Sequence, residues 1–63
     1  MIILKRLLAY FDVDIYTERC GGNLFYMVRV WDEGEPIIEC RDTSLASAII
    51  AADRNAAVVA NYS

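Results

Sequence analysis

The stretch Phe11-Asp12-Val13-Asp14-Ile15-Tyr16-Thr17-Glu18-Arg19-Cys20-Gly21-Gly22-Asn23-Leu24-Phe25-Tyr26-Met27-Val28-Arg29-Val30-Trp31 decides the fold. In its first half Phe11, Val13, Ile15 and Thr17 alternate with Asp12, Asp14, Tyr16 and Glu18, the period-two pattern of a half-buried strand. Gly21-Gly22 then supplies the positive φ angles of a tight hairpin turn. With those two glycines as the turn, Ile15 opposes Val28, Val13 opposes Val30 and Asp14 opposes Arg29. Apolar meets apolar and opposite charges meet, so the pattern specifies the register as well as the hairpin.

Downstream, the second strand covers 24–31, and Asp32-Glu33-Gly34-Glu35-Pro36 is a turn by composition. A three-residue connection pairs Val30 with Ile38, Val28 with Cys40 and Arg29 with Glu39. A two-residue turn would instead set Glu39 against Val28 on the core face and is rejected, so the longer connection and a third strand over 37–41 are expected. Asp42-Thr43-Ser44 offers helix-capping side chains, and the Ala-rich stretch after it predicts a helix over 45–60 with Leu45, Ala48, Ile49, Ala52, Ala56 and Val59 as its apolar stripe. Upstream, Ile3, Leu4, Leu7, Leu8 and Phe11 recur on one helical face, leaving Lys5, Arg6 and Ala9 outward. That spacing predicts a short N-terminal helix; the β-branched Ile pair leaves a strand as its rival. The expected fold is α+β, a three-stranded antiparallel meander with a short N-terminal and a long C-terminal helix (α-β-β-β-α), in one compact domain over 1–63.

With 63 residues, 57% of them apolar and 24% charged, the composition is that of a single folded unit. At about 60 residues a domain buries only about 60% of the surface its unfolded chain exposes, which leaves no room for a deep substrate cleft. No histidine is present, which removes the commonest general base and a common zinc ligand, so neither catalysis, cofactor nor metal is expected. Six Lys or Arg against nine Asp or Glu give a net charge of −3, which argues against direct binding to nucleic acid or an anionic membrane. Lys5 and Arg6 interrupt the N-terminal apolar run, no small-residue cleavage site follows, and the sequon Asn61-Tyr62-Ser63 is read as chance. Cys20 falls beside the first turn and Cys40 opposite Val28 on the other face, about 16 Å away along the strand. Two free thiols and a cytoplasmic setting are therefore expected, with Cys40 a core residue.

The charge has a location. Eight acids stand between Asp12 and Asp42 against Arg19, Arg29 and Arg41, a balance of 3 − 8 = −5. In the derived register Phe11, Val13, Ile15, Tyr26, Val28, Val30, Ile38 and Cys40 point to the long helix. Asp12, Asp14, Tyr16, Glu18, Phe25, Met27, Arg29, Trp31, Ile37 and Glu39 share the other side. The bland reading of that side is a solvated charge row of Asp14, Arg29 and Glu39, or, if the N-terminal helix lies over it, a second core holding Trp31 and Met27. The functional reading is an exposed surface of carboxylates and aromatic anchors suited to a basic partner. Its candidate partner-binding residues are Asp12, Asp14, Tyr16, Glu18, Trp31, Asp32, Glu33, Glu35 and Glu39.

In size, acidity, lack of catalytic side chains and compact mixed fold, the chain resembles the small phage-encoded anti-CRISPR proteins. That resemblance rests on overall character and not on a shared motif. It implies a cytoplasmic inhibitor that binds a CRISPR effector complex, in some cases by imitating DNA at the surface that reads the PAM. A local resemblance covers 11–59: strand, Gly21-Gly22, strand, a third strand ending Cys40-Arg41-Asp42-Thr43, then helix, is similar to the partial ferredoxin-like domain of HicB-type antitoxins. This second resemblance implies neutralisation of an RNA-cleaving toxin. A third reading is a homo-oligomeric interaction protein joined through the Trp31 face, with a monomer the favoured state.

Overall fold

A computed structural model describes residues 2–60. It contains α1 (Ile2–Tyr10), β1 (Asp12–Cys20), β2 (Asn23–Asp32), β3 (Glu35–Asp42) and α2 (Leu45–Val59), in that order. The strands form one antiparallel sheet in the order β1-β2-β3. This is the α-β-β-β-α arrangement that the periodicity specifies, and the helical reading of the N-terminal segment prevails over its rival strand.

The first hairpin has the derived register throughout, from Asp12 opposite Trp31 to Cys20 opposite Asn23. Gly21 and Gly22 form its turn with φ of 60° and 83°, a region that glycine enters without steric cost. The second hairpin differs from expectation in an instructive way. Its turn has only two residues, Glu33 and Gly34, both with positive φ, and Asp32 pairs with Glu35 and Trp31 with Pro36. A β-bulge between Val30 and Trp31 then restores Val30 opposite Ile38, Arg29 opposite Glu39 and Val28 opposite Cys40. The shorter turn is tolerated because the bulge inserts one extra residue into β3 and returns Glu39 to the solvent side.

Both helices pack on the same side of the sheet. Leu7 and Phe11 of the N-terminal segment join Val28, Val30, Ile38 and Cys40 of the sheet and Ala48, Ile49, Ala52 and Ala56 of α2 in one core. The alanines let α2 approach β2 and β3 closely, and α1 lies beside α2 above the start of β1. A part-buried ion pair fastens the two helices, with Arg6 donating to Asp53, which is only 7% exposed. Arg6 keeps its outward position, its side chain 51% exposed, and reaches across to that carboxylate. In the same helix Leu7 is fully buried while its stripe neighbour Leu8 is 53% exposed, because α1 presents a narrower face than the sequence stripe suggests.

The helices do not reach the far half of β1. Ile15, on the helix side of the sheet, is consequently 42% exposed. Leu45 and Val59, the first and last residues of α2, also remain exposed, so the buried stripe is confined to the middle of that helix. Ser44 caps α2, its hydroxyl accepting from the Ser47 amide at 3.3 Å, and Ala60 closes the other end. Both cysteines are free. Cys40 is buried and accepts a hydrogen bond from Asn55 at 3.4 Å, while Cys20 is exposed at the first turn. The sequon at Asn61 lies outside the described residues.

Candidate interaction surface on the open sheet face

Because α1 and α2 occupy one side, the opposite face of the sheet has no helix over it. The alternative in which the N-terminal helix covers Trp31 and Met27 is thereby corrected: Leu7 and Phe11 carry enough apolar surface to hold α1 in the main core. Strand alternation brings Asp12, Asp14, Tyr16 and Glu18 of β1, Phe25, Met27, Arg29 and Trp31 of β2, and Glu39 and Arg41 of β3 onto this open side.

At its centre is Arg29. Its guanidinium donates through Nε to Glu39 at 2.9 Å and through Nη2 both to Glu39 and, at 3.0 Å, to the Tyr16 hydroxyl. Tyr16 in turn donates to Glu39 at 2.8 Å. The same guanidinium lies 5.5 Å from the Tyr16 ring centroid and 5.8 Å from that of Trp31. Nearby, the Trp31 indole N–H donates to Asp14 at 2.9 Å. These contacts leave their mark on ionisation. Hydrogen bonds from Arg29 and then Tyr16 hold the Glu39 carboxyl below the usual range, and the bond to Glu39 raises the pKa of both Tyr16 and Arg29.

Met27 is 6% exposed without a helix over it, since it occupies the central strand between the long side chains of Tyr16 and Arg41. Arg41 also covers the Phe25 ring, 4.8 Å from its centroid. The aromatic anchors are thus half-buried under cationic side chains, and the open face is an ordered mosaic of rings, guanidinium groups and carboxylates.

The nine candidate residues divide into three sets. Asp14, Tyr16, Trp31 and Glu39 are joined through the Arg29 network. Asp12, Trp31, Asp32 and Glu33 line a shallow groove of about 400 Å³ where β1, the second turn and the C-terminal end of α1 meet. Glu18, opposite Phe25 at the far end of the sheet, and Glu35, beside the turn, belong to neither cluster. Four groove residues, Leu8, Ala9, Tyr10 and Phe11, are not among the candidates read from the sequence, and neither is Arg29, the hub of the network. The signal for Tyr10 was its position at the last turn of α1, directly before the strand that carries the acids.

Among the described residues the ion pairs are Arg6 with Asp53 and Arg29 with Glu39, so no cation is paired with Asp12, Glu18, Asp32, Glu33 or Glu35. No group of three His, Cys, Asp or Glu among them is placed to hold a metal, and no helix is long and apolar enough to cross a membrane. The chain is an α+β protein with a two-helix layer on a three-stranded meander. Searches with protein-family models, among curated proteins and among solved structures find no match to it.

Proposed function

We propose that the protein is a small, non-enzymatic binding module that docks its open sheet face and second turn on a basic protein surface of the kind that handles nucleic acid. The observation that carries this reading is the distribution of charge in the fold. On that face and turn Asp12, Asp14, Glu18, Asp32, Glu33, Glu35 and Glu39 stand against Arg29 and Arg41, a balance of 2 − 7 = −5, with the helices on the other side. Alternate residues of an extended strand are about 7 Å apart, so Asp12 and Asp14 present successive negative groups along a line, as a nucleic-acid backbone does. Such a surface raises the association rate with a basic groove and competes with the polyanion that normally fills it. A cytoplasmic CRISPR effector complex, bound where it reads DNA, is the specific partner that the anti-CRISPR resemblance supplies.

A single copy suffices for this role, and the outer edge of β1 is poorly suited to self-association. Antiparallel pairing of two β1 strands requires same-face residues to oppose one another. In two of the three registers with most overlap it sets Asp14 against Glu18 or Asp12 against Glu18. Pro36 similarly interrupts the outer edge of β3.

The test is binding of the wild-type chain to a purified CRISPR effector complex, with target DNA as competitor. Reversing Asp32, Glu33 and Glu35 to Lys should abolish binding, and DNA should displace the wild type. Unchanged binding by the reversed variant sinks the assignment of those residues, and an absence of binding across effector types sinks the partner. A second reading is favoured by the order β1-β2-β3-α2, the layout shared with HicB-type domains. Under that reading the chain protects RNA from a co-purified ribonuclease instead.

A further inference from the structure

We infer that the outer edge of β1 takes up an extended segment of the basic partner as a fourth, antiparallel strand in which basic and apolar residues alternate; this rests on the binding role proposed above. The backbone supplies the first support. A two-residue hairpin turn closes on a pair that exchanges both of its hydrogen bonds, so Cys20 and Asn23 form such a pair, and every second β1 residue back to Asp12 is bonded to β2 in the same way. The intervening residues Val13, Ile15, Thr17 and Arg19 therefore direct their N–H and C=O groups away from the sheet. β1 is the last strand on that side, and among the described residues no backbone group of a helix or turn pairs with these four. They form a row of donors and acceptors spaced for an added strand.

The side chains on the two faces of β1 state what that strand carries. On the helix side Ile15 is 42% exposed, because α1 and α2 stop short of this half of the strand, and Thr17 beyond it is exposed as well. An apolar residue laid opposite Ile15 covers it. On the open side the same strand presents Asp12, Asp14 and Glu18. Antiparallel strands set same-face residues opposite one another, so the basic residues of the incoming segment meet these carboxylates while its apolar residues meet Val13 and Ile15. The edge thus offers hydrogen bonds, uncovered apolar surface and charge in one register.

The same carboxylates make the edge selective. Charged side chains on an edge discourage pairing with strands of like charge, a second copy of β1 included in the two registers described above, and favour a strand of opposite charge. β3, the other edge, is interrupted by Pro36 and has α2 packed against it. β1 is the edge that the fold leaves open.

The experiment titrates the full chain, labelled with nitrogen-15, with the blocked peptide acetyl-Lys-Thr-Arg-Val-Lys-Val-Lys-amide, whose valines fall opposite Ile15 and Val13 and whose lysines fall opposite Glu18, Asp14 and Asp12. Saturable shifts should centre on the amides of Val13, Ile15 and Thr17, and hydrogen exchange at those amides should slow about tenfold or more at saturation. N-methylation of the first valine removes the donor aimed at the Ile15 carbonyl and should abolish binding. N-methylation of the lysine after it, whose N–H faces away from β1, should leave affinity within about twofold, although charge and size are the same in both peptides. Asp12→Lys with Glu18→Lys should weaken the parent peptide about tenfold. Equal binding of the two methylated peptides overturns the inference, since it is the signature of diffuse charge attraction. So does a concentration-dependent dimer that protects the same amides and excludes the peptide, which gives the edge to a second copy. Because no effector complex is present, saturable peptide binding together with failure to bind any effector removes only the earlier reading. Effector binding that leaves the amides of Val13, Ile15 and Thr17 exchanging as in the free chain removes only this one.

Discussion

Substituting alanine for each of the adjacent leucines of α1 separates the buried face of that helix from its exposed one. Leu→Ala removes three carbon atoms, worth about 2.4 kcal/mol at about 0.8 kcal/mol per buried carbon. Leu7 is fully buried among the sheet and α2, so the whole of that term applies. The cavity left behind raises the expected loss to about 3–4 kcal/mol. Leu8, 53% exposed, loses about half the transfer term and leaves no closed cavity, so its loss is about 1 kcal/mol or less. A domain of this size has a total stability of roughly 3–9 kcal/mol, which makes Leu7→Ala close to unfolding and Leu8→Ala mild. Urea titration followed by Trp31 fluorescence and far-ultraviolet circular dichroism measures both. With a slope of about 1 kcal/mol per molar urea, the two midpoints should differ by about 2–3 M. Equal losses, or a greater loss for Leu8, would refute the placement of α1 in the helix layer and with it the openness of the opposite sheet face.

Two further outcomes follow from the sheet and its second turn. The depressed Glu39 pKa means that the Arg29 and Tyr16 contacts stabilise the fold above the unfolded carboxylate value of about 4.3 and lose that effect as pH falls through the lower folded value. Urea midpoints measured from pH 6 to pH 2 should therefore fall for the wild type and fall less steeply for Glu39→Gln; parallel curves would show that the network is not coupled to folding. Glu33 has φ of 51° in a turn whose geometry suits Asn-Gly, so Glu33→Asn should raise stability by about 0.5–1 kcal/mol in the same urea assay. A loss of stability there would mean that the two-residue turn and its compensating bulge are misassigned.

Secondary structure and the first hairpin were legible because their signals are local. Alternation over Asp12–Cys20, the glycine pair and the apolar pairs Ile15 with Val28 and Val13 with Val30 agree with one another, and a shift of one residue would expose the core face. The second hairpin was legible in its outcome and not in its route. The pairing of Val28 with Cys40 follows from which side must be buried, but a three-residue turn and a two-residue turn with a bulge give the same pairing there. Only backbone geometry separates them. The candidate site was legible as a set of residues on one face; its internal wiring, with Arg29 bridging Glu39, Tyr16 and Trp31, depends on side-chain reach across strands that periodicity does not encode.

By itself, then, the sequence determined the element order, the register of the first hairpin and of the core pairs of the second, and the concentration of negative charge on one side of the meander, since each depends on neighbours in the chain or on the two-residue period of a strand. Tertiary structure alone decided where α1 goes. An apolar stripe containing both Leu7 and Leu8 is compatible with either face of the sheet, and the choice is made by competition between two large-scale packings. Burying Leu7 and Phe11 with the alanines of α2, with Arg6 meeting Asp53, outweighs covering Trp31 and Met27, whose own cross-strand neighbours already shield them. That choice leaves the acidic and aromatic face open, and it creates the groove between the end of α1 and the second turn, which no stretch of sequence contains.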